Sequence, residues 1–300
     1  MKIAILGPVC KDSITVDETT NDQLGGIPYY TGTALSGLGA DVTAYITYGA
    51  QDDKWVRDNF PGVAIRHIDA PGTLHFSRTY SSKNPDVCLS VKIDYFPNPI
   101  APTTELLEEL GRFDYIILSP LLHDNVSPEF FRALKQRTDK PIVHGNFGMF
   151  TYAINNEFVQ KDPDQFMAAA PYVDHLFLDE KEVQFATSSA SVGEAVHKLK
   201  ALGVKEVVVT GGSRGSTLFT LNGEYAIPAY KPEVVADPTG AGDTYLAGYI
   251  AACQFYKEPL QRGKFAAMTA TLSLEKRGAF SGSKEDVLKR LRENNEEGFG

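Results

Sequence analysis

Cysteine is scarce in this sequence, with three residues in 300, Cys10, Cys88 and Cys253. They lie far apart and no CxxC pair occurs, which argues against a disulfide framework or a structural zinc site. Long apolar runs are also missing, since no stretch of about eighteen apolar residues could span a membrane. The apolar run at residues 3–9 is too short for a signal peptide. The sequence therefore predicts a cytoplasmic protein in a reducing compartment.

Positive charge is in deficit: 29 Lys and Arg stand against 38 Asp and Glu, a net charge of −9. No basic stretch could follow a phosphate backbone, so a nucleic-acid partner is not expected. A small-molecule phosphate stays open, because backbone N–H groups can hold one without Lys or Arg. Hydrophobic residues make up 43% of the chain and charged residues 22%, a globular composition. We expect one domain over residues 1–300.

Short apolar runs alternate with amphipathic stretches of helical period. The predicted strands are residues 2–9, 40–49, 115–122, 140–147, 174–179 and 205–212, and the predicted helices are 103–111, 127–137, 162–171 and 191–203. The chain is helical again after residue 239. This rhythm predicts a doubly wound, mostly parallel sheet that is covered by helices on both faces.

Two segments break the βαβ rhythm, residues 11–24 and residues 73–95. Both alternate polar and apolar side chains, which is typical of antiparallel strands, and the second has a turn signal at Lys83-Asn84-Pro85-Asp86. We expect these segments to form a small sheet that stands apart from the main one.

The most informative stretch is Asp237-Pro-Thr-Gly-Ala-Gly-Asp243, where a helical pattern begins. Gly240 and Gly242 allow close approach of the backbone to a ligand, and the helix start offers unpaired N–H groups to an anion. A carboxylate there would repel the anion unless Asp243 has another task, such as accepting a proton from an attacking hydroxyl. The alternative is that Asp237 or Thr239 caps the helix and Asp243 favours its dipole.

Residues 236–252, ADPTGAGDTYLAGYIAA, resemble the C-terminal signature of the PfkB carbohydrate kinases, the ribokinase-like family. The resemblance extends to Asp12, a Gly-Gly pair near residue 25, DEKE at 179–182 and TGGSRG at 210–215. It implies a three-layer α/β/α ribokinase-like fold with a small β-sheet lid. It also implies ATP-dependent, Mg²⁺-requiring transfer of the γ-phosphoryl group to a hydroxyl. The implied anion hole is Gly240, Ala241 and Gly242, and the implied general base is Asp243.

The resemblance places four further residues along the nucleotide phosphates: Thr210, Gly212, Gly215 and Thr239. The turn at 210–215 also matches the hydrolase pattern G-x-S-x-G, in which Ser213 would be the nucleophile. That interpretation needs a helix next, whereas the following residues alternate like a hairpin, and no histidine occurs after His197. In a third interpretation, the glycines of residues 210–215 have no ligand and only form the turn at the end of the preceding strand.

Asp179 and Glu182 follow a predicted strand. The resemblance makes Glu182 an indirect ligand of Mg²⁺, acting through water beside the nucleotide, with Asp179 where the family has Asn. The same D-x-x-E spacing is close to a capping box, in which Asp179 begins a helix and Glu182 reaches back to it. One residue could do both. No Walker A motif occurs, so the sequence does not support a P-loop NTPase.

At the acceptor end, the resemblance implies that Asp12, Gly25 and Gly26 bind hydroxyls of the acceptor. Tyr30 replaces the Asn that ribokinase-like members have after the Gly-Gly pair, and a phenol offers one hydroxyl and a flat apolar face. This departure argues against ribose and leaves a cyclitol, another sugar or a nucleoside open. The alternative is that Tyr30 packs in the lid or core. Ala267 stands where relatives often have Asn on the nucleotide side.

The expected function is phosphoryl transfer from ATP to a small polyol, a sugar or a cyclitol. Two alternatives stay open: a nucleoside kinase of the same fold, and a nucleotide- or sugar-binding protein without turnover. A monovalent cation and a homodimer through the small sheet are also left open.

Overall fold

The computed structural model describes residues 1–81, 84–145 and 148–299, which contain fifteen β-strands and ten α-helices. The strands are β1 (Lys2–Pro8), β2 (Cys10–Val16), β3 (Thr19–Gly25), β4 (Asp41–Gly49), β5 (Ala64–Ala70), β6 (Leu74–Ser81), β7 (Asn84–Asp94), β8 (Tyr115–Leu118), β9 (Ile142–Gly145), β10 (Thr151–Ile154), β11 (Glu157–Gln160), β12 (His175–Asp179), β13 (Glu206–Thr210), β14 (Ser216–Thr220) and β15 (Gly223–Ile227). The helices are α1 (Ile27–Gly37), α2 (Asp53–Asp58), α3 (Thr104–Leu110), α4 (Pro128–Arg137), α5 (Asp164–Ala169), α6 (Glu180–Ala186), α7 (Val192–Ala201), α8 (Ala241–Ala252), α9 (Pro259–Leu274) and α10 (Lys284–Glu293).

The main sheet has nine strands in the order β15-β14-β13-β12-β9-β8-β1-β4-β5. The strands from β13 to β5 pair in parallel, and the β14–β15 hairpin adds an antiparallel edge. The predicted mostly parallel sheet is confirmed. In such a sheet the carboxyl ends of the parallel strands share one edge, and the loops that follow them meet there.

Helices cover both faces of this sheet, because successive strand residues point to opposite sides. Ala4 and Leu6 of β1 pack into a core with helices α3 to α7. Ile3 and Ile5 pack on the other face with α1, α8, α9 and α10. The predicted three-layer α/β/α arrangement is confirmed.

A four-stranded sheet in the order β3-β2-β6-β7 stands apart from the main sheet and contains both segments that break the βαβ rhythm. Its two antiparallel pairs, β2–β3 and β6–β7, join through a parallel β2–β6 contact. The turn predicted at residues 83–86 falls partly outside the described residues. None of the described helices is long and apolar enough to cross a membrane.

A polar network holds α8 at the amino ends of the strands. Oε2 of Glu206, the first residue of β13, lies 2.9 Å from His175 Nδ1. The Tyr249 hydroxyl of α8 donates to the same Glu206 oxygen at 2.8 Å. Arg262 of α9 lies 3.6 Å from the same carboxylate. Burial raises the pKa of the Glu206 carboxyl, but these partners outweigh burial and lower the pKa to about 2. The network fixes α8, whose opposite end faces the strand carboxyl ends.

Candidate active site

The N-terminus of α8 lies where the signature stretch predicts it. Gly240 immediately precedes the helix with a φ of 74°, in the left-handed region that favours glycine. No described side chain caps this end, and the Asp237 carboxylate instead accepts a bond from the Thr239 N–H at 2.9 Å. Neither Asp237 nor Thr239 therefore caps α8, so this part of the alternative is wrong, whereas Asp243 does lie in the first turn, where it favours the helix dipole.

Asp243 lies partly buried in the first turn of α8. Burial and the nearby Glu182 charge disfavour the carboxylate, and they raise the pKa of Asp243 to about 7. Thr31 of α1 donates its hydroxyl to the Asp243 carbonyl oxygen at 3.4 Å. A carboxyl with a pKa near neutrality is suited to accepting a proton at physiological pH.

Asp179 and Glu182 form the predicted capping box at the start of α6. The Glu182 N–H donates to Asp179 Oδ1 at 2.7 Å, and the Asp179 N–H donates to Glu182 Oε2 at 2.8 Å. Burial, together with the charge of Asp179, raises the pKa of Glu182 to about 7. The capping interpretation is confirmed. The same carboxyl also acts electrostatically on Asp243, so the α6 start and the α8 start face one site.

The turn at 210–215 joins β13 to β14. The Gly211 N–H donates to the Gly215 carbonyl at 2.8 Å, and β14 begins at once with Ser216. Gly215 has a φ of 92°, and a Cβ there would overlap the Ile227 carbonyl oxygen, so the turn needs glycine. A strand instead of a helix follows Ser213, and the hydrolase interpretation lacks its required geometry.

A cavity of about 600 Å³ lies between this turn, the start of α8 and one face of α9. Of the residues predicted to bind the nucleotide, Thr210, Gly212 and Gly215 line this cavity, whereas Asp179, Glu182 and Thr239 are not part of its lining. Of the predicted anion hole, Ala241 and Gly242 line it. Its remaining walls are residues 228–232, Val235, Pro238, Tyr245 and the α9 residues Ala267, Ala270, Thr271 and Leu274, with Ser213 and Ser216. The cavity therefore borders the start of α8, and its lining is mostly apolar.

Asp12, Gly25 and Gly26 come together on the other side of the α8 start. Asp12 of β2 is buried, and its Oδ1 has no hydrogen-bond partner among the described residues. Burial raises the pKa of the Asp12 carboxyl against the opposing charge of Arg78. A Cβ at Gly25 would stand 2.6 Å from Asp12 Oδ2. Gly26, with a φ of 96°, turns the chain into α1.

Tyr30 of α1 is buried, 4% exposed, and its ring packs directly on Gly240. A Cβ at Gly240 would overlap that ring. The Tyr30 hydroxyl is buried and has no hydrogen-bond partner in the described part of the chain. Burial, with the charge of Asp12, raises the pKa of Tyr30 well above its ordinary value, so the phenol is a neutral donor.

The family model described as pfkB family carbohydrate kinase matches residues 92–286. The chain belongs to the pfkB family of carbohydrate kinases. The match to this family covers the segments that carry Asp179, Thr210 and Asp243.

The pfkB chain is similar to several characterised proteins. A nucleoside kinase of Methanocaldococcus jannaschii is 29% identical over 137 residues, 42% of this chain and 44% of that protein. Arabidopsis thaliana ribokinase, solved with ribose and ATP, has a TM-score of 0.79 at 21% identity and covers 97% of this chain and 98% of its own. A pyrophosphate-dependent kinase in the ribokinase family, solved with a pyrophosphate analog and myo-inositol, has a TM-score of 0.78 at 20% identity. The match covers 95% of this chain and 98% of that kinase. These structures confirm the ribokinase-like fold. The chain spans about half the length of the curated relatives it matches.

Two features of this pfkB-family site were not predicted from the sequence. One is α1 itself, which brings the Tyr30 ring against Gly240. The other is the far wall of the cavity, formed by residues 228–232 and α9, of which only Ala267 had been placed on the nucleotide side. Small or apolar residues at Ala267, Ala270 and Leu274 recur at helical spacing, a signal that is indistinguishable from ordinary core packing.

Substitution of Glu182 by Gln separates its capping role from a role in turnover. Gln preserves the capping box, so we expect a melting temperature close to that of the unmodified protein. It removes the charge, so we expect a lower kcat and a higher Mg²⁺ requirement. Because the Glu182 pKa is about 7, the kinetic difference should be larger at pH 8, where the unmodified carboxyl is ionised, than at pH 6.

The matched control is Asp286→Asn, in the capping box of α10 with Ser283. This substitution should leave the kinetics unchanged. If the kinetics of Glu182→Gln are also unchanged, Glu182 acts only as a capping residue.

Proposed function

We propose that the protein transfers the γ-phosphoryl group of ATP, in the presence of Mg²⁺, to a hydroxyl of a small polyol, a sugar or a cyclitol. One observation carries this proposal. Asp243 lies at an uncapped helix start, with a nucleotide-sized cavity on one side and two unpartnered polar groups, Asp12 Oδ1 and the Tyr30 hydroxyl, on the other. Phosphoryl transfer needs a donor site, an acceptor site and a base between them.

The lining of the cavity supports ATP as the donor over pyrophosphate, which the solved relative uses. Among the described residues that line the cavity, Lys231 is the one with a charged side chain, and it is exposed. Pyrophosphate would leave the apolar walls unfilled and would find little positive charge to balance its own. A nucleoside fills such walls, while its phosphates reach the start of α8.

No cluster of three or more His, Cys, Asp or Glu within the described residues could hold a metal ion by itself. Mg²⁺ therefore fits this site as a companion of the nucleotide phosphates, whose charge it offsets when bound. We assign its protein-side contact to Glu182, through water. The residues present supply hard oxygen groups beside the α8 start, as Mg²⁺ requires.

In the proposed reaction, Asp12 and Tyr30 hold the acceptor and Asp243 takes the proton of the attacking hydroxyl. Asp12 accepts hydrogen bonds from hydroxyl groups, and neutral Tyr30 donates one. The N–H groups at Gly240, Ala241 and Gly242 stabilise the negative charge of the transferring group, aided by the helix dipole. Thr210 and Gly212 hold the remaining phosphates, and Gly215 shapes their turn, because its own N–H and carbonyl bond to Gly212 and Gly211.

A nucleoside acceptor is less well supported. The flat face of Tyr30 was expected to stack on a cyclitol, a hexose or a base, but the packing against Gly240 buries that face. What Tyr30 offers to an acceptor is its hydroxyl, and hydroxyl recognition suits a polyol.

The test is a phosphorylation screen with ATP and Mg²⁺ across sugars, inositols and nucleosides, repeated with pyrophosphate as the donor. We expect transfer from ATP to one polyol well above the others, because hydrogen-bonding sites discriminate strongly between analogues. Transfer from pyrophosphate alone would contradict the donor assignment. Nucleotide binding without transfer to any acceptor would favour the binding-protein alternative.

Substitution of Tyr30 by Phe removes the unpartnered hydroxyl but keeps the ring against Gly240. We expect kcat/KM for the best acceptor to fall about tenfold, the effect of one hydrogen bond worth about 1–1.5 kcal/mol. The melting temperature should stay the same or rise, because a buried hydroxyl without a partner is removed. A Tyr30→Phe enzyme with the same kcat/KM as the unmodified enzyme would show that Tyr30 only packs. Free ribose should be a poor substrate for both enzymes.

A further inference from the structure

The cavity beside α8 has two chemically different ends. The end near the 210–215 turn and the α8 start presents backbone N–H groups. The far end is formed by small, apolar or proline residues, namely Pro228, Ala229, Pro232, Val235, Ala267, Ala270 and Leu274. If phosphates bind at the α8 start, as the proposed function requires, the nucleobase lies at this far end.

The polar side chains at the far end already have protein partners. The Thr271 hydroxyl donates within α9 to the Ala267 carbonyl at 2.9 Å. The Tyr230 hydroxyl donates to Glu296 at 2.8 Å, and the Tyr230 carbonyl lies within reach of Thr271 at 3.3 Å. Deeper in the cavity, the hydroxyls of Ser216 and Tyr245 bond to each other at 2.7 Å. The Thr271 and Tyr230 hydroxyls at the far end therefore have no free proton to donate to the edge of a base.

The side chains that remain at the far end distinguish bases weakly. Pro228 and Pro232 have no N–H to donate. Lys231 is exposed on a flexible stem, and every nucleobase has a ring nitrogen or carbonyl that can accept from an ammonium. Val235 is 63% exposed, so it provides an apolar surface that a base of any kind can cover.

We infer that the donor site binds purine and pyrimidine nucleotides alike, holding the base by apolar contact and selecting the donor by its phosphates. The inference rests on the proposed function, because it takes the cavity as the nucleotide site. A pocket without hydrogen bonds to the edge of a ligand discriminates by roughly 10- to 200-fold, with about tenfold at the weak end, whereas a hydrogen-bonding pocket reaches about 10⁴-fold or more.

The test is a calorimetric titration of the protein with ADP, GDP, CDP and UDP in the presence of Mg²⁺, which needs no knowledge of the acceptor. We expect four dissociation constants within about tenfold of one another. Inorganic pyrophosphate, the phosphate-only control, should bind more weakly than all four.

A pair of variants locates the base. Ala267→Asn adds an amide to the far wall, and Ala267→Leu adds an apolar group of nearly the same shape. We expect the Asn variant to spread the four affinities beyond about tenfold and the Leu variant to weaken all four by a similar factor. Melting curves check both proteins, and Ala270→Asn repeats the test if the variants at residue 267 do not fold.

A preference for one base of more than about tenfold in the unmodified protein would overturn the inference and leave the proposed function intact. An Asn variant with the same affinities as the unmodified protein would also overturn it, because the base would then lie elsewhere. Failure of all four nucleotides to bind would remove the donor assignment itself, and the proposed function with it.

Discussion

Replacement of Asp243 by Asn should lower kcat at least about 10²-fold, since general-base catalysis typically contributes 10²–10⁴. Asn has nearly the same shape and fits the first turn of α8, but it cannot accept the proton of the acceptor hydroxyl. ADP affinity should stay close to that of the unmodified protein, because in the proposed site the phosphates would contact backbone N–H groups. The measurement is a steady-state assay on the best acceptor beside an ADP titration.

The pH profile gives an independent check of the same residue. With the pKa of Asp243 near 7, kcat/KM of the unmodified enzyme should rise as the pH rises through about 7 and then level off. The stability effect has the opposite sign. The folded protein binds the proton more tightly than the unfolded chain, whose pKa is near 3.8, so ionisation destabilises the fold as the pH rises from about 4 to 7.

Asp243→Asn should lack that loss of stability and melt no lower than the unmodified protein at pH 8. A kcat within a factor of about three of the unmodified value would contradict the assignment of Asp243 as the base.

Gly240→Ala should strongly reduce both stability and activity, whereas Gly242→Ala should reduce activity alone. At Gly240 the left-handed backbone costs alanine about 1–2 kcal/mol, and overlap of its Cβ with the Tyr30 ring adds about 1–3 kcal/mol. The melting temperature should fall by roughly 5–10 °C. At Gly242 a Cβ meets no described atom within 4 Å, and it projects where the cavity meets the helix start.

The two glycines therefore serve as controls for each other. Gly242→Ala should melt like the unmodified protein while its kcat/KM falls, because the methyl group stands where phosphate would bind. If Gly242→Ala retains full activity, the anion hole does not include this residue. If Gly240→Ala melts normally, the Tyr30 ring is free to move away from Gly240.

Local patterns in the sequence predicted much of the fold and the helix start at α8. Strands such as β1 and β13 show as apolar runs because both of their faces are buried, and α8 shows because its glycines and Asp243 mark a helix start. Both are properties of neighbouring residues. The two-sheet architecture followed from the change of rhythm at residues 11–24 and 73–95.

Other features depend on contacts between distant segments, which no local pattern records. The Tyr30 ring against Gly240 joins α1 to α8, and the cavity wall joins residues 228–232 to α9. The β10–β11 hairpin was not predicted either. Glu182 shows the limit within a single residue: its capping bonds follow from a four-residue spacing, whereas its effect on Asp243 depends on how α6 and α8 are placed.

The contact between Tyr30 and Gly240 also constrains how this protein can be altered. Tyr30, which would border the acceptor, is in direct contact with Gly240, whose backbone would hold the phosphoryl group. A smaller side chain at position 30 would enlarge the acceptor site and at the same time loosen the turn before α8. Engineering of a new acceptor preference should therefore vary Asp12 and the small sheet first and keep an aromatic ring at position 30. A substitution at position 30 that changes acceptor selectivity would also lower turnover.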